Sequence, residues 1–152
     1  MNVHCTPMPF WRWLAAVCLA VVAGVHIAIA PEHLHEAPYA GVLFLVLAAA
    51  TLVAAGLVLT ANHPLVWTGT AALSLSALVA YFMSRSVGLP SLSDDIGDWL
   101  NPLGVIAVVC ETVVVLIAGY TQLGFRRYRI VTATERLYTV APASAGEVPT
   151  VG

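Results

Sequence analysis

An all-α fold, a four-helix transmembrane bundle running antiparallel up and down with short loops, is predicted by three features: the hydropathy of the chain, its four apolar runs and the prolines that introduce them. Of the 152 residues, 60% are hydrophobic and only 9% charged, against about 25% charged in water-soluble domains; mean hydropathy is +0.89. The solvent for most of the chain is lipid. Apolar segments near the ~20 residues that a helix needs to cross about 30 Å of hydrocarbon run over 10–30, 38–61, 64–87 and 102–125. Each follows or begins with a proline, Pro9, Pro38, Pro64 or Pro102, whose missing N–H is an orphan at a helix start and whose fixed φ suits the first turn.

The first span carries Arg12 at its start, Trp11 and Trp13 as interfacial anchors, and Ala20, Gly24 and Ala28 at four-residue spacing. Its end, Ala28-Ile29-Ala30, has the form of a signal-peptidase site, but the proline that follows and the length of the run argue against cleavage. Between the second and third spans Thr60-Ala61-Asn62-His63-Pro64 leaves only a tight turn, with Asn62 or His63 as N-cap, so these two form a hairpin. Gly69 in the third span, Ala55 and Gly56 in the second, and Gly104 and Ala107 in the fourth let backbones approach, which favours a compact bundle in lipid. Residues 1–9 are then a tail, 10–125 the transmembrane domain, and 126–152 a basic segment and a tail with little to bury, expected to be mobile.

Orientation follows from the arginines, because cationic flanks are retained in the cytoplasm. Arg12 precedes the first span and Arg126, Arg127, Arg129 and Arg136 follow the fourth, while Arg85 alone sits at the opposite ends with Trp99. Both termini are expected in the cytoplasm of a plasma-membrane protein. On that side His4 reads as a tail residue.

Six arginines, no lysine and a net charge of −2 exclude nucleic acid as a partner, since phosphates need a basic face. Cys5, Cys18 and Cys110 contain no C-x-x-C pair; they are too scattered for a disulfide framework, and the two within spans read as isolated packing atoms. A bis-histidine haem lacks a second intramembrane imidazole to face His26. No phosphate loop or Ser-His-Asp spacing is present, and short loops leave little room for a walled substrate pocket. No catalytic residue is assigned, and the reading leans away from an enzyme.

The chemistry that remains lies toward the outer face. The expected first outer loop, Ala30-Pro31-Glu32-His33-Leu34-His35-Glu36-Ala37-Pro38, carries two imidazoles and two carboxylates, and the second, 88–101, adds Asp94, Asp95 and Asp98. Nitrogen and carboxylate donors suit a divalent transition metal, although short loops also carry polar residues simply to meet water and headgroups. Glu111 lies nine residues beyond Pro102, about 13 Å down a helix and near the midplane, where an ionisable group costs roughly 2.5–3.5 kcal/mol. His26 lies about 6 Å down from the same side. Ser74, Tyr81 and Arg85 share one face of the third span, with Arg85 expected in a structural ion pair with a carboxylate of the second outer loop or with Glu111, and Gly104, Ala107, Glu111 and Ala118 share one of the fourth. Glu111 thus has three readings: a neutral acid bonding across helices, a partner of Arg85 or His26, or a proton carrier or cation ligand.

The string His26…Pro31-Glu32-His33…Glu36…Pro38…Gly41…Phe44, followed by Ser84-Arg85-Ser86-Val87-Gly88-Leu89-Pro90 and Glu111, resembles an uncharacterised group of small four-span membrane proteins of high-GC actinobacteria. The resemblance covers roughly residues 22–115 and implies fold and compartment without an activity; His35 is outside its pattern. Two functions are expected to compete. In the first, His26, His33, Glu36 and Glu111, with His35, Asp94, Asp95 or Asp98 as further donors, hold a metal ion or a proton for binding or transport. In the second, the chain is a non-catalytic subunit of a larger membrane complex. A thin bundle has little interior volume, so a transport path implies a homo-oligomer or a partner in the lipid bilayer.

Overall fold

The structure, a computed structural model, describes residues 9–88, 90 and 95–140. They form α1 (Pro9–Glu36), α2 (Pro38–Thr60), α3 (Pro64–Ser86) and α4 (Pro102–Val140), with no strand among the described residues. Each helix contains a stretch long and apolar enough to cross a membrane, and the chain is a small multi-pass membrane protein with a four-helix bundle. The helices form a ring: α1 packs most extensively on α2, α3 on α4, α1 on α4, and α2 only lightly on α3. Prolines at the starts of α2 and α3 occupy the first turns, and the His63 side chain caps α3 by accepting the Leu65 N–H at 3.2 Å.

Two boundaries differ from expectation. The first span does not end at Ala30; α1 continues through Pro31 to Glu36, and Ala37 alone separates it from α2. An internal proline removes one hydrogen bond and crowds the preceding turn, but the turns beyond it are held by other contacts. The Ala37 N–H donates to His33 O at 2.8 Å, and Leu34 lies so close to Gly41 that a Cβ there would fall 2.7 Å from the Leu34 backbone nitrogen. The residues expected in a first outer loop are therefore the last turns of α1. At the other terminus α4 does not stop at 125. No Gly or Pro occurs between Phe125 and Val140, so nothing breaks the hydrogen-bond ladder where the lipid-compatible sequence ends, and the basic segment continues as helix. Of the tail after Arg136, expected to be mobile, residues 137–140 are the last of α4, and 141–152 lie outside the described residues.

The helix pairs are kept in register by seven-residue steps, the repeat of left-handed helix packing. Arg12 at the start of α1 donates through Nε to Val58 O at 2.8 Å and also to Leu59 O at the end of α2, covering carbonyls left without helical partners. Fourteen residues on, the His26 ring lies 5.5 Å from that of Phe44, which places Leu19 at the level of Thr51 between them. On the α3–α4 seam a Cβ on Gly104 would fall 2.7 Å from Tyr81 Cε2, so the glycine admits the ring. Near the far end the Gln122 amide donates to Pro64 O and Thr68 Oγ1, both at 2.7 Å, with Trp67 and Ala118 fully buried in one apolar cluster. Stepping seven residues from Tyr81 and from Gly104 brings Ser74 and Glu111 to one level.

Candidate functional site

The end of the bundle that holds Ala37 gathers most of the residues expected to form the site, but not into one cluster. His26 is buried and its Nδ1 lies 2.8 Å from Val22 O; His33 Nδ1 lies 3.0 Å from Ile29 O. Only an N–H can face a carbonyl oxygen productively, so Nδ1 is the donor in both rings. The two imidazoles, seven residues apart, flank Phe44 with ring centroids at 5.5 and 4.9 Å. Glu32, His35 and Glu36 are exposed around the end of α1.

Beside them, residues 95–99, in the described part of the connection between α3 and α4, contact the end of α3. Arg85 Nη1 meets Asp95 Oδ1 at 2.5 Å and donates to Asp95 O at 3.0 Å, and its guanidinium lies 5.4 Å over the Tyr81 ring. Tyr81 Oη donates to Trp99 O at 3.0 Å, and Tyr39 Oη donates to Pro90 O, tying the start of α2 to the same connection. Gly97, at φ 84°, takes the left-handed conformation that glycine adopts without strain and donates its N–H to Arg85 O. Asn101 caps α4 by accepting the Leu103 and Gly104 N–H groups. Asp98 is exposed and within 3.5 Å of Asn101 Nδ2; Asp94 lies outside the described residues.

Deeper in the bundle is a second, sparser group. Glu111 is 3% exposed and its Oε1 has no hydrogen-bond partner among the described residues; Ser74, 1% exposed, likewise leaves Oγ unpartnered. Thr51, buried on α2, donates back to Leu47 O and Ala48 O at 2.9 Å. Cys18 on α1 and Cys110 on α4 also meet here. Their thiols are neighbours across the α1–α4 seam, a correction to the expectation that each is isolated in its own span. Sequence separation hid the pair, and only the seven-residue register of α1 against α4 could have shown it. On that seam Trp11 and Ile117, seven residues from Cys18 and Cys110, line an apolar cleft of about 240 Å³ with Leu116 and Tyr120.

The structure separates Glu111 from both ionic partners considered for it. With Cys18 level with Cys110, His26 falls level with Pro102, about 13 Å from Glu111 by helical rise. Arg85 lies eleven residues beyond Ser74, about 16 Å away by the same measure, and is engaged by Asp95. Among the described residues no three His, Cys, Asp or Glu side chains come together as a metal-binding group, so His26, His33, Glu36 and Glu111 do not form one ligand set. What the geometry supplies is a buried acid with an unpartnered oxygen, and two imidazoles nearer the Ala37 end. Compared with family models, curated proteins and solved structures, the chain matches none of them.

Proposed function

We propose that this protein lies in the plasma membrane with both termini in the cytoplasm and that it binds and helps to move a proton at Glu111. The observation that carries the reading is the enclosed carboxyl with an unpartnered oxygen at the centre of the bundle. A buried acceptor left unsatisfied costs about 1–3 kcal/mol, and an acid serving only as glue would be expected to close its hydrogen bonds. Of the two cargoes that the residue types admit, the proton is favoured because one oxygen suffices to hold it, whereas a transition metal needs several convergent donors. His26 and His33, whose rings can both take up and release a proton, lie between Glu111 and the Ala37 end, the end that the arginine asymmetry favours as the outer one. The small interior favours a homo-oligomer or a partner subunit completing the path, and kinship with small four-span actinobacterial proteins belongs to the same proposal.

The test is proton flux into liposomes carrying the purified protein and a trapped pH-sensitive dye, driven by a potassium diffusion potential. The protein should acidify the lumen, and Glu111→Gln, which keeps the shape but cannot lose a proton, should reduce the rate to that of empty liposomes. Equal rates for the two proteins would overturn the reading. An intact fold without flux, together with co-purifying membrane subunits, would favour the assembly-partner role.

A further inference from the structure

Resting on that reading, we infer that Ser74 is the second member of the Glu111 site, and that its hydroxyl and the Glu111 carboxyl share one water molecule as the unit that takes up the proton. Four observations meet here. The α3–α4 seam is bracketed on one side by Gly104 against Tyr81 and on the other by Gln122 bonded to Pro64 and Thr68. Ser74 and Glu111 lie seven residues inward from the first contact on their respective helices, so they occupy the same rung. Both side chains are more than nine-tenths buried, and each leaves one oxygen without a partner. They are two of the three buried orphan polar atoms among the described residues, the third being Arg85 Nε in the Asp95 ion pair.

Most other hydroxyls in the spans are occupied by their own helices. Thr51, Thr70, Ser84, Thr112 and Thr121 each donate to a carbonyl three or four residues back, the usual way in which a hydroxyl satisfies itself in a helix. Ser74 has the same choice and does not take it, so its proton is available to a neighbour on α4. A single water has the valence to close this gap, because it donates to Glu111 Oε1 and accepts from Ser74 Oγ, and buried water serves otherwise unsatisfied polar groups in this way. The alternative occupant, a sodium-sized cation, requires about six oxygens, and the rung offers only the Glu111 carboxyl and Ser74.

The ionisable surroundings are sparse. On α1 the group at this level is Cys18, and on α4 itself Cys110; α3 brings nothing titratable nearer than Tyr81 and Arg85, and α2 has only Tyr39, at its far end. Proton exchange at the rung is therefore governed by the hydrogen bonds to the carboxyl more than by neighbouring charge.

Infrared spectroscopy of the protein in lipid tests this directly. A protonated carboxylic C=O band should be present, vanish in Glu111→Gln, move to higher frequency in Ser74→Ala and return to its original position in Ser74→Thr, which restores the hydroxyl. If the Ala variant does not fold, Ser74→Cys, close in shape with a weak donor, should show the same upward shift. Proton flux in the Ser74→Ala liposomes should fall at least tenfold. A Glu111 band unmoved by loss of the Ser74 hydroxyl would overturn the inference while leaving flux through Glu111 standing. Absence of any carboxylic band at every pH that the fold tolerates would overturn it as well. Unchanged flux in Glu111→Gln with a Ser74-sensitive band would instead retain the pair and remove the transport reading.

Discussion

Arg85 and Glu111 carry charge-bearing groups into the protein in opposite ways. Arg85 brings its partner with it: one Nη1 contacts both the carboxylate and the carbonyl of Asp95, and Tyr81 lies under the guanidinium. Asp95 keeps 29% of its side chain exposed, so the interaction is partly screened and breaking it should cost about 1–3 kcal/mol, below the value for fully buried pairs. Arg85→Leu should lower the melting temperature of the detergent-purified protein more than Arg85→Lys, because lysine retains the charge while losing the planar fork. Equal losses would show that geometry alone, not charge, holds the connection to α3. Glu111 has no such ionic partner, and its face was legible in the sequence: Gly104, Glu111 and Ala118 at seven-residue spacing predicted a small-residue seam with an acid at its centre. Its environment was less legible, because an orphaned oxygen is a fact about neighbours and Ser74 is one of many serines and threonines in the spans.

The prolines and apolar runs of the helices locate the starts of α2, α3 and α4, where the rule is local. Two helix ends escaped the same reasoning for different physical causes. At Pro31 a local penalty is outweighed by contact between Leu34 and Gly41, which belong to different helices. Past Phe125 the change from apolar to basic marks where lipid-compatible sequence stops, and hydropathy carries no information about where a backbone ladder stops. Contacts between helices also make a checkable prediction. In a variant with Cys5 replaced by Ser, copper-phenanthroline oxidation should join Cys18 to Cys110 within one chain, seen as a reducible shift in gel mobility, and Cys110→Ser should abolish it. Failure to cross-link in folded protein would contradict the pairing of α1 with α4.

For the whole molecule, arginines concentrated on one side predict its orientation in the membrane. A reporter active only in the cytoplasm should work when fused after Arg136, and one active only when exported should work when inserted after Pro90. The reverse pattern would turn the Ala37 end inward, and with it both imidazoles and the Arg85 pair. The joint at Ala37 also sets how the protein yields to force. One residue gives α1 and α2 no slack, and Gly41 seated on the Leu34 backbone prevents either from sliding past the other. Between α3 and α4 the chain is longer, and what holds its described part is a set of side-chain and backbone contacts at the end of α3, from Arg85 to Asp95 and from Tyr81 to Trp99. Pulled out of a bilayer by its amino-terminal end, the chain should surrender its first two helices in a single rupture, as one cooperative unit. Drawn from the other end, it should release α4 first and pause before α3 follows.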